Sequence, residues 1–251
     1  MIEAINVMKA FDDKVVLKDI SAVFEKGQTN LIIGQSGSGK TVLLKSLVGL
    51  HNVTSGDILY DGRSLLGLNT KQKKLLRQEI GMLFQGSALF DSMTVEENVR
   101  FPLDMFTNMS DEEKRDRTNF CLDRVKLENA NSKLPSEISG GMQKRVAIAR
   151  AIALNPKYLF CDEPNSGLDP RTSIVIDELI HEITVEYDIT TIVNTHDMNS
   201  VMGIGDKIIF IFEGEKYWEG NKDDIFHVQN KQLEDFIFAS KMFRKIKEAN
   251  K

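Results

Sequence analysis

The sequence predicts an α/β protein with a mainly parallel core sheet, an antiparallel β subdomain and a helical subdomain. Three observations support this fold class. Apolar strand patterns separated by charged turns occupy the first two dozen residues, a mostly helical stretch runs from about 94 to 155, and strand and helix patterns alternate after it. Hydrophobic residues make up 41% of the 251 residues, which is enough for a sizeable core.

Composition excludes several classes of protein. The two cysteines, Cys121 and Cys161, lie far apart, so neither a disulfide framework nor a zinc site is expected. The net charge of −5 argues against broad binding to nucleic acid, and we expect no nucleic-acid partner. The amino terminus has no signal-peptide pattern. The apolar run Ile208 to Phe212 is far shorter than the roughly 18 residues of a membrane helix, so a membrane role requires a partner.

The elements of the first part of the chain follow from local patterns. Three short β runs separated by charged turns predict antiparallel strands at Ile5–Met8, Val15–Leu17 and Ser21–Phe24. An apolar strand at Leu31–Ile33 leads through a glycine-rich loop to a helix that begins at Thr41 and stops around Gly49. The β segment Gly56–Gly62 has turn residues at both ends and is expected to return to the first sheet.

The later elements predict a parallel sheet. Apolar strands at Tyr158–Cys161 and Thr190–Val193 flank a helical pattern at Ser173–Val185, which is a βαβ unit. We predict one domain over 1–220, with the helical subdomain inserted at about 86–155, and a helical tail over 221–251. The tail either packs on the core or contributes to a dimer contact. Its apolar face carries Leu233, Phe236, Ile237, Phe238 and Phe243, followed by the basic end Arg244–Lys247.

The glycine-rich loop is the strongest chemical signal. Its residues fit the pattern G-x-x-x-x-G-K-[ST] in full and are expected to bind the phosphates of a nucleoside triphosphate. Glycines let successive backbone N–H groups turn towards phosphate oxygens, and the positive end of the following helix favours the same charge. Lys40 would reach the β- and γ-phosphates, and Thr41 would place its hydroxyl on Mg²⁺. The residues are Gly34, Gln35, Ser36, Gly37, Ser38, Gly39, Lys40 and Thr41.

Two acids follow the strand at Tyr158–Cys161. The carboxyl ends of parallel strands form the ligand-binding edge of such a sheet. Asp162 would therefore complete the magnesium shell, and Glu163 would accept a proton from the water that attacks the γ-phosphate. Taken without the phosphate loop, the pair could equally cap a helix or turn.

Together these motifs resemble the ATP-binding subunits of ABC transporters along nearly the whole chain. Ser139, Gly140 and Gly141 resemble the family's signature sequence, which implies that they cap the γ-phosphate held by a second subunit and that the protein is a homodimer. The resemblance further implies that Gln85 senses magnesium and the attacking water, that His196 contacts the γ-phosphate, and that Phe11 stacks on adenine. Ser166–Asp169 resembles the loop through which the subunits communicate.

Met142 departs from the family's usual Gln, so its polar contacts would fall to Gln143 or to backbone groups. The segment Gly140–Val146, together with Ser87–Val95, resembles the Mla-type branch, which moves phospholipids between bacterial membranes and in which Met at this position is usual. That resemblance implies permease subunits, an MCE-type lipid-binding protein and a position on the cytoplasmic face of the inner membrane. The coupling surface is expected near Gln85–Val95, at Phe90 or Met93. The alternatives are an importer of a small solute such as methionine, an ABC protein for DNA repair or chromosome work, and an iron–sulfur assembly factor.

Overall fold

A computed structural model describes residues 1–228 and 230–238. Phe243 and the basic end Arg244–Lys247 therefore lie outside the described residues. The chain divides into two compact units, unit 1 formed by residues 1–67 together with 192–251 and unit 2 formed by residues 68–191. The domain boundaries expected from the sequence stay a prediction.

The ordered elements have the following bounds. The strands are β1 (Ile2–Phe11), β2 (Lys14–Phe24), β3 (Thr29–Ile33), β4 (Ser55–Tyr60), β5 (Arg63–Ser64), β6 (Ile80–Leu83), β7 (Tyr158–Asp162), β8 (Thr190–Thr195), β9 (Lys207–Phe212) and β10 (Glu215–Gly220). The helices are α1 (Lys40–Leu47), α2 (Thr70–Gln78), α3 (Val95–Phe106), α4 (Asp111–Arg124), α5 (Gly140–Ile152), α6 (Pro170–Glu186), α7 (Met198–Ile204) and α8 (Lys231–Ile237). No helix among these described residues is long and apolar enough to cross a membrane.

Unit 1 contains an antiparallel sheet with the strand order β2-β1-β4-β5. The return of the segment after Gly56 to the first sheet is confirmed, since Ile2 pairs with both Phe24 and Tyr60. The expected division into strands at 15–17 and 21–24 is wrong, because β2 is continuous. The charged residues between them form an irregularity inside the strand: Asp19 has φ 55° and accepts a hydrogen bond of 2.8 Å from the Asn6 amide.

The remaining strands of unit 1 support the phosphate loop. β9 lies between β10 and β3, and β3 pairs with β9 in parallel register, with Ile32 opposite Ile209. All five residues of β3 are buried, which fixes the point where the loop starts. In the tail, Leu233 and Ile237 of α8 are buried, and the Phe236 ring lies 5.5 Å from that of Phe210. The described part of the tail therefore packs against β9 within unit 1.

Unit 2 contains a parallel strand pair and most of the long helices. β6 pairs with β7, with Gly81 opposite Leu159. A Cβ at Gly81 would lie 2.4 Å from the carbonyl oxygen of Ala151, so glycine lets α5 approach β6 closely. Helices α3 and α4 pack on α5, and each begins with a capping box, at Thr94 and Ser110 respectively. α6 starts at Pro170 after the N-cap Asp169.

Candidate nucleotide site

The phosphate loop of unit 1 connects buried β3 to α1 through three glycines with positive φ. Gly34 has φ 151°, and a Cβ there would lie 2.2 Å from the carbonyl oxygen of Ile211. Gly39 is the N-cap of α1 with φ 107°, and no side chain caps the helix. The first turn of α1 also has no acidic residue. The N–H groups of this turn and the positive end of the helix dipole therefore form a favourable place for an anion.

Lys40 and Ser38 of the same loop are buried and fit a phosphate ligand. The Lys40 side chain is 5% exposed, and its ammonium donates hydrogen bonds of 2.9 Å to the carbonyl oxygens of Gly34 and Gln35. Ser38 Oγ is buried and has no hydrogen-bond partner among the described residues. A buried hydroxyl is costly without a partner, so a phosphate oxygen would satisfy it. Gln35, Ser36 and Gly37 are exposed at the rim of the loop.

Thr41, the predicted magnesium ligand, is held by a residue that sequence reasoning missed. Its hydroxyl accepts a hydrogen bond of 3.1 Å from the side-chain amide of Asn194, which is fully buried in β8. The available signal was an amide directly after the apolar pair Ile192-Val193, two residues before His196. His196 itself lies just beyond the end of β8, where its imidazole is exposed.

Phe11 ends β1 with its ring exposed to solvent. Its side chain is 40% exposed, so it is not a core residue of the first sheet. The Lys9 ammonium lies 4.6 Å from the ring centroid, and the His51 ring meets Phe11 edge-on at 5.3 Å. Burial, with added repulsion from Lys45 and Lys9, lowers the pKa of His51, which keeps a neutral ring beside Phe11. This position fits stacking on a base.

In unit 2, the two predicted acids stand at the end of β7. Asp162 is the last residue of the strand and is 6% exposed. Glu163 follows it in the left-handed region, with φ 46°, which a non-glycine residue adopts rarely and which is typical of functional sites. Burial, followed by the charge of Asp177, raises the pKa of the Cys161 thiol far above its usual range, so this cysteine is an inert core residue.

Gln85 and Glu163 are brought together in unit 2. The Gln85 amide nitrogen donates to Glu163 Oε2 at 3.1 Å and to Ser166 Oγ at 3.3 Å. Gln85 follows β6, and Glu163 follows the neighbouring parallel strand β7, so both lie at the same edge of the pair. Three predicted segments thereby meet: the loop after β6, the loop after β7 and the start of Ser166–Asp169.

The signature residues form the amino terminus of α5. Ser139 is the N-cap, and its hydroxyl accepts from the Met142 N–H at 3.3 Å. Gly140 and Gly141 supply the first turn, and a Cβ at Gly141 would lie 2.7 Å from the Thr172 methyl group of α6. The Gln143 amide donates to the Pro135 carbonyl oxygen at 2.9 Å, so this amide supports the loop before α5. Because the Gln143 amide is engaged in this way, we expect the backbone N–H groups to make the polar contacts that Met142 cannot make.

The fold and these sites define a class: an α/β protein with a glycine-rich phosphate loop, a strand-terminal carboxylate pair and a second helix amino terminus suited to phosphate. The family model described as ABC transporter matches residues 17–166, which is more than half of the chain. The chain belongs to the ABC transporter ATP-binding family and is an ATP-hydrolysing ABC transporter subunit with a P-loop α/β fold.

Two relatives and one solved structure show how far the likeness extends. The methionine import ATP-binding protein MetN of Campylobacter jejuni is 37% identical over 96% of this chain and 76% of its own length. The probable ribonucleotide transport ATP-binding protein mkl of Mycobacterium leprae is 37% identical over 84% of this chain and 61% of its own length. The dimeric structure of the ATP-binding cassette MJ0796 bound to ADP and Pi has a TM-score of 0.80 and 33% identity, over 88% of this chain and 99% of that one.

Proposed function

We propose that the described site residues hydrolyse magnesium ATP in the roles that their positions support. Lys40, Ser38 and the amino terminus of α1 hold the phosphates, and Phe11 stacks on adenine. Thr41, Asp162 and Gln85 hold the metal, because hydroxyl, carboxylate and amide oxygens are the ligands that Mg²⁺ prefers. The bound ion would neutralise charge on the β- and γ-phosphate oxygens. The observation that carries the proposal is the Ser38 hydroxyl, in the same loop as Lys40. This hydroxyl is buried and has no hydrogen-bond partner among the described residues.

Glu163 is the general base of this proposal. Its carboxylate accepts a hydrogen bond of 3.1 Å from the Gln85 amide, which orients the group that would take the proton from the attacking water. Glu163 has a left-handed backbone conformation, with φ 46°, directly after Asp162 ends β7. His196, exposed after β8, contributes a contact to the γ-phosphate.

Substitution of Glu163 by Gln tests the assignment. Gln has the same shape and retains the hydrogen bond to Gln85 through its own carbonyl oxygen, so folding should be preserved. Because a general base contributes about 10²–10⁴ in rate, we expect hydrolysis to fall by at least about 100-fold while ATP binding persists. Size-exclusion chromatography with ATP should then show a trapped dimer. Hydrolysis at the parent rate would show that Glu163 is not the base.

The placement of the signature residues supports a dimer. Ser139, Gly140 and Gly141 form an open helix amino terminus, which offers N–H donors to an anion. The MJ0796 cassette, which resembles this chain over most of its length, is dimeric in its solved structure. Each phosphate loop would therefore be completed by the partner's signature residues.

We infer that the transported cargo is a small solute, with methionine-type import favoured by the relatives. MetN proteins of several bacteria match the chain, including one from Clostridioides difficile that is 39% identical over 94% of this chain. Phospholipid transport is the second candidate, and the observation that favours it is Met142 in the first turn of α5. The MCE-type lipid-binding partner belongs to that second candidate alone.

Co-purification separates the two candidates. The tagged full chain, extracted in detergent from the membranes of its own cells, should bring integral-membrane permease subunits with it. For methionine-type import, radiolabelled methionine uptake should fall when Glu163→Gln replaces the parent. Recovery of phospholipid and an MCE-type protein with the complex, with methionine uptake unchanged, would favour the second candidate instead. Recovery of neither a permease nor a lipid would argue against a transporter subunit.

A groove in unit 2 offers a site for the permease. It encloses about 270 Å³ and is lined largely by apolar side chains. Phe90 lines it and is 41% exposed, whereas Met93 is not among the lining residues. Phe90 stays the candidate contact, and its ring lies 4.8 Å from that of Phe101. An apolar face of a cytoplasmic permease helix is the partner that this groove fits.

A further inference from the structure

The loop after β6, Gln85 to Ala88, is held to helix α5 by two cationic side chains. The Lys144 ammonium donates a hydrogen bond to the backbone carbonyl oxygen of Gln85. Arg150, further along the same helix, donates to the carbonyl oxygens of Ser87 and Ala88, with both distances at 2.8 Å. Charge-assisted hydrogen bonds of this kind are stronger than neutral ones. The carbonyl groups of three of the loop's residues are thus fixed from α5.

The backbone of this loop needs such support. Ser87 has φ 62° and Ala88 has φ 48°, the left-handed conformation that residues with a Cβ adopt rarely. A strained loop persists only where surrounding contacts hold it. Because the contacts come from α5, the shape of the loop depends on the position of that helix.

Lys144 is an unusual residue for a purely structural role. Its side chain is 4% exposed, so its ammonium is almost entirely withdrawn from water. Taking an ammonium out of water is expensive, and an apolar side chain of similar size would often stabilise a core as well. The buried charge is therefore expected to serve something other than stability.

A chain of contacts connects Lys144 to the proposed general base. Lys144 holds the backbone of Gln85, and the side-chain amide of Gln85 lies 3.1 Å from Glu163 Oε2. We propose that Lys144 is a positioning residue for ATP hydrolysis: it fixes the backbone of Gln85 so that the Gln85 amide orients the Glu163 carboxylate, while Arg150 anchors the far end of the loop. This inference rests on the proposed roles of Glu163 and Gln85.

The same helix begins with Ser139, Gly140 and Gly141. Any displacement of α5 that follows engagement of these residues by a second subunit is therefore transmitted through Lys144 to Gln85. The loop also contributes Ala88 to the groove, which Arg150 lines as well. A partner bound in the groove and a second subunit bound at the start of α5 would therefore both act on the loop that contains Gln85.

Steady-state kinetics of the purified full chain test the role of Lys144. Lys144→Met keeps the length of the side chain and removes the charge and the donors. We expect kcat to fall about tenfold, as the loss of one charge-assisted hydrogen bond would produce, with KM for ATP changed less than about twofold. Lys144→Arg, which retains a charged donor, should recover part of kcat. An unchanged or raised kcat in Lys144→Met overturns the proposal.

Arg145→Met is the matched control. Arg145 is the next residue of α5, and its guanidinium donates to the Lys126 carbonyl oxygen at 3.3 Å, away from the Gln85 loop. This control should retain the parent kcat, and an equal loss there would show a general effect of charge on α5. If Lys144→Met does not fold, Lys144→Gln is used instead, because it keeps a neutral donor. Thermal melting establishes which variants are folded.

A double-mutant cycle with Gln85→Ala shows whether Lys144 acts through Gln85. Gln85→Ala keeps the backbone carbonyl but removes the amide, so adding Lys144→Met should lower kcat no further. If the two losses in kcat multiply in the double variant, Lys144 and Gln85 act independently and the proposal is overturned. Glu163→Gln, measured in parallel, shows which of the two proposals has failed. If Glu163→Gln hydrolyses ATP at the parent rate, Glu163 is not the general base. If Glu163→Gln loses activity and Lys144→Met does not, only the positioning role of Lys144 is refuted.

Discussion

The glycines of the phosphate loop differ in what a side chain would meet. At Gly34 a Cβ would lie 2.2 Å from the Ile211 carbonyl oxygen, whereas at Gly37 nothing lies within 4 Å. Both residues have positive φ, 151° and 80°, so both substitutions by Ala carry backbone strain. We predict that Gly37→Ala lowers the free energy of unfolding by about 1 kcal/mol. Gly34→Ala, which adds a clash with backbone, should lower it by about 3 kcal/mol.

Urea unfolding without nucleotide measures this difference. Gly37→Ala serves as the control, because it has the same chemistry and only the strain. Equal midpoints for the two variants would contradict the close approach of Gly34 to β9.

Single residues could be predicted from the sequence where they belong to a short local motif. The phosphate loop and the acids after β7 are short contiguous patterns, so their chemistry could be inferred without a fold. Asn194 and Lys144 could not be found in this way, because each acts on a residue distant in the chain, Thr41 and Gln85 respectively. Only the folded arrangement of strands and helices shows such pairs.

At the scale of elements, strong periodicity located α1, α6 and β7 to within a few residues, since each carries an apolar pattern bounded by Gly, Pro or acidic residues. β2 was wrongly divided because the Lys18-Asp19 pair has the composition of a turn. Within the sheet, the same pair is accommodated by an irregularity in the register between β1 and β2.

The groove of unit 2 leads to a prediction about the permease. Phe90→Asp places a charge in an apolar lining, so it should abolish co-purification of the permease with the tagged chain. Phe120→Asp is the matched control. Phe120 is 45% exposed on α4, but it is not among the lining residues, so the permease should be retained. Equal recovery of the permease with both variants would show that the groove is not the docking site.

For the whole molecule, the sequence predicted the fold class and the family because the motifs occur in a characteristic order along one chain. The cargo could not be predicted in the same way, because the motifs of this chain concern the nucleotide and none of them concerns a transported molecule. The names of the relatives do not determine the cargo either, since MetN and mkl are both 37% identical to the chain and carry different substrate names. Dimer formation, in contrast, can be tested on this chain alone.

Two variants, each expected to be inactive, damage different halves of a site that is shared between two subunits. Lys40→Met removes the ammonium from the phosphate loop. Gly140→Asp places a negative charge where the partner's γ-phosphate would lie. A Cβ at Gly140 meets only the Leu168 side chain, at 3.8 Å, so the substitution fits the folded subunit. An acid in the first turn of α5 also interacts favourably with the helix dipole, which preserves folding.

Mixing the two variants should restore hydrolysis. In a mixed dimer, the intact phosphate loop of the Gly140→Asp subunit faces the intact signature residues of the Lys40→Met subunit, so one of its two sites is complete. Half of the dimers in an equal random mixture are mixed, which predicts about a quarter of the parent rate if the sites are independent. Lys40→Met mixed with Glu163→Gln is the control. Both of these lesions damage the same half of a site, so no mixed dimer contains a complete one, and the mixture should stay inactive. Recovery in the control, or none in the first mixture, would show that each subunit hydrolyses ATP by itself.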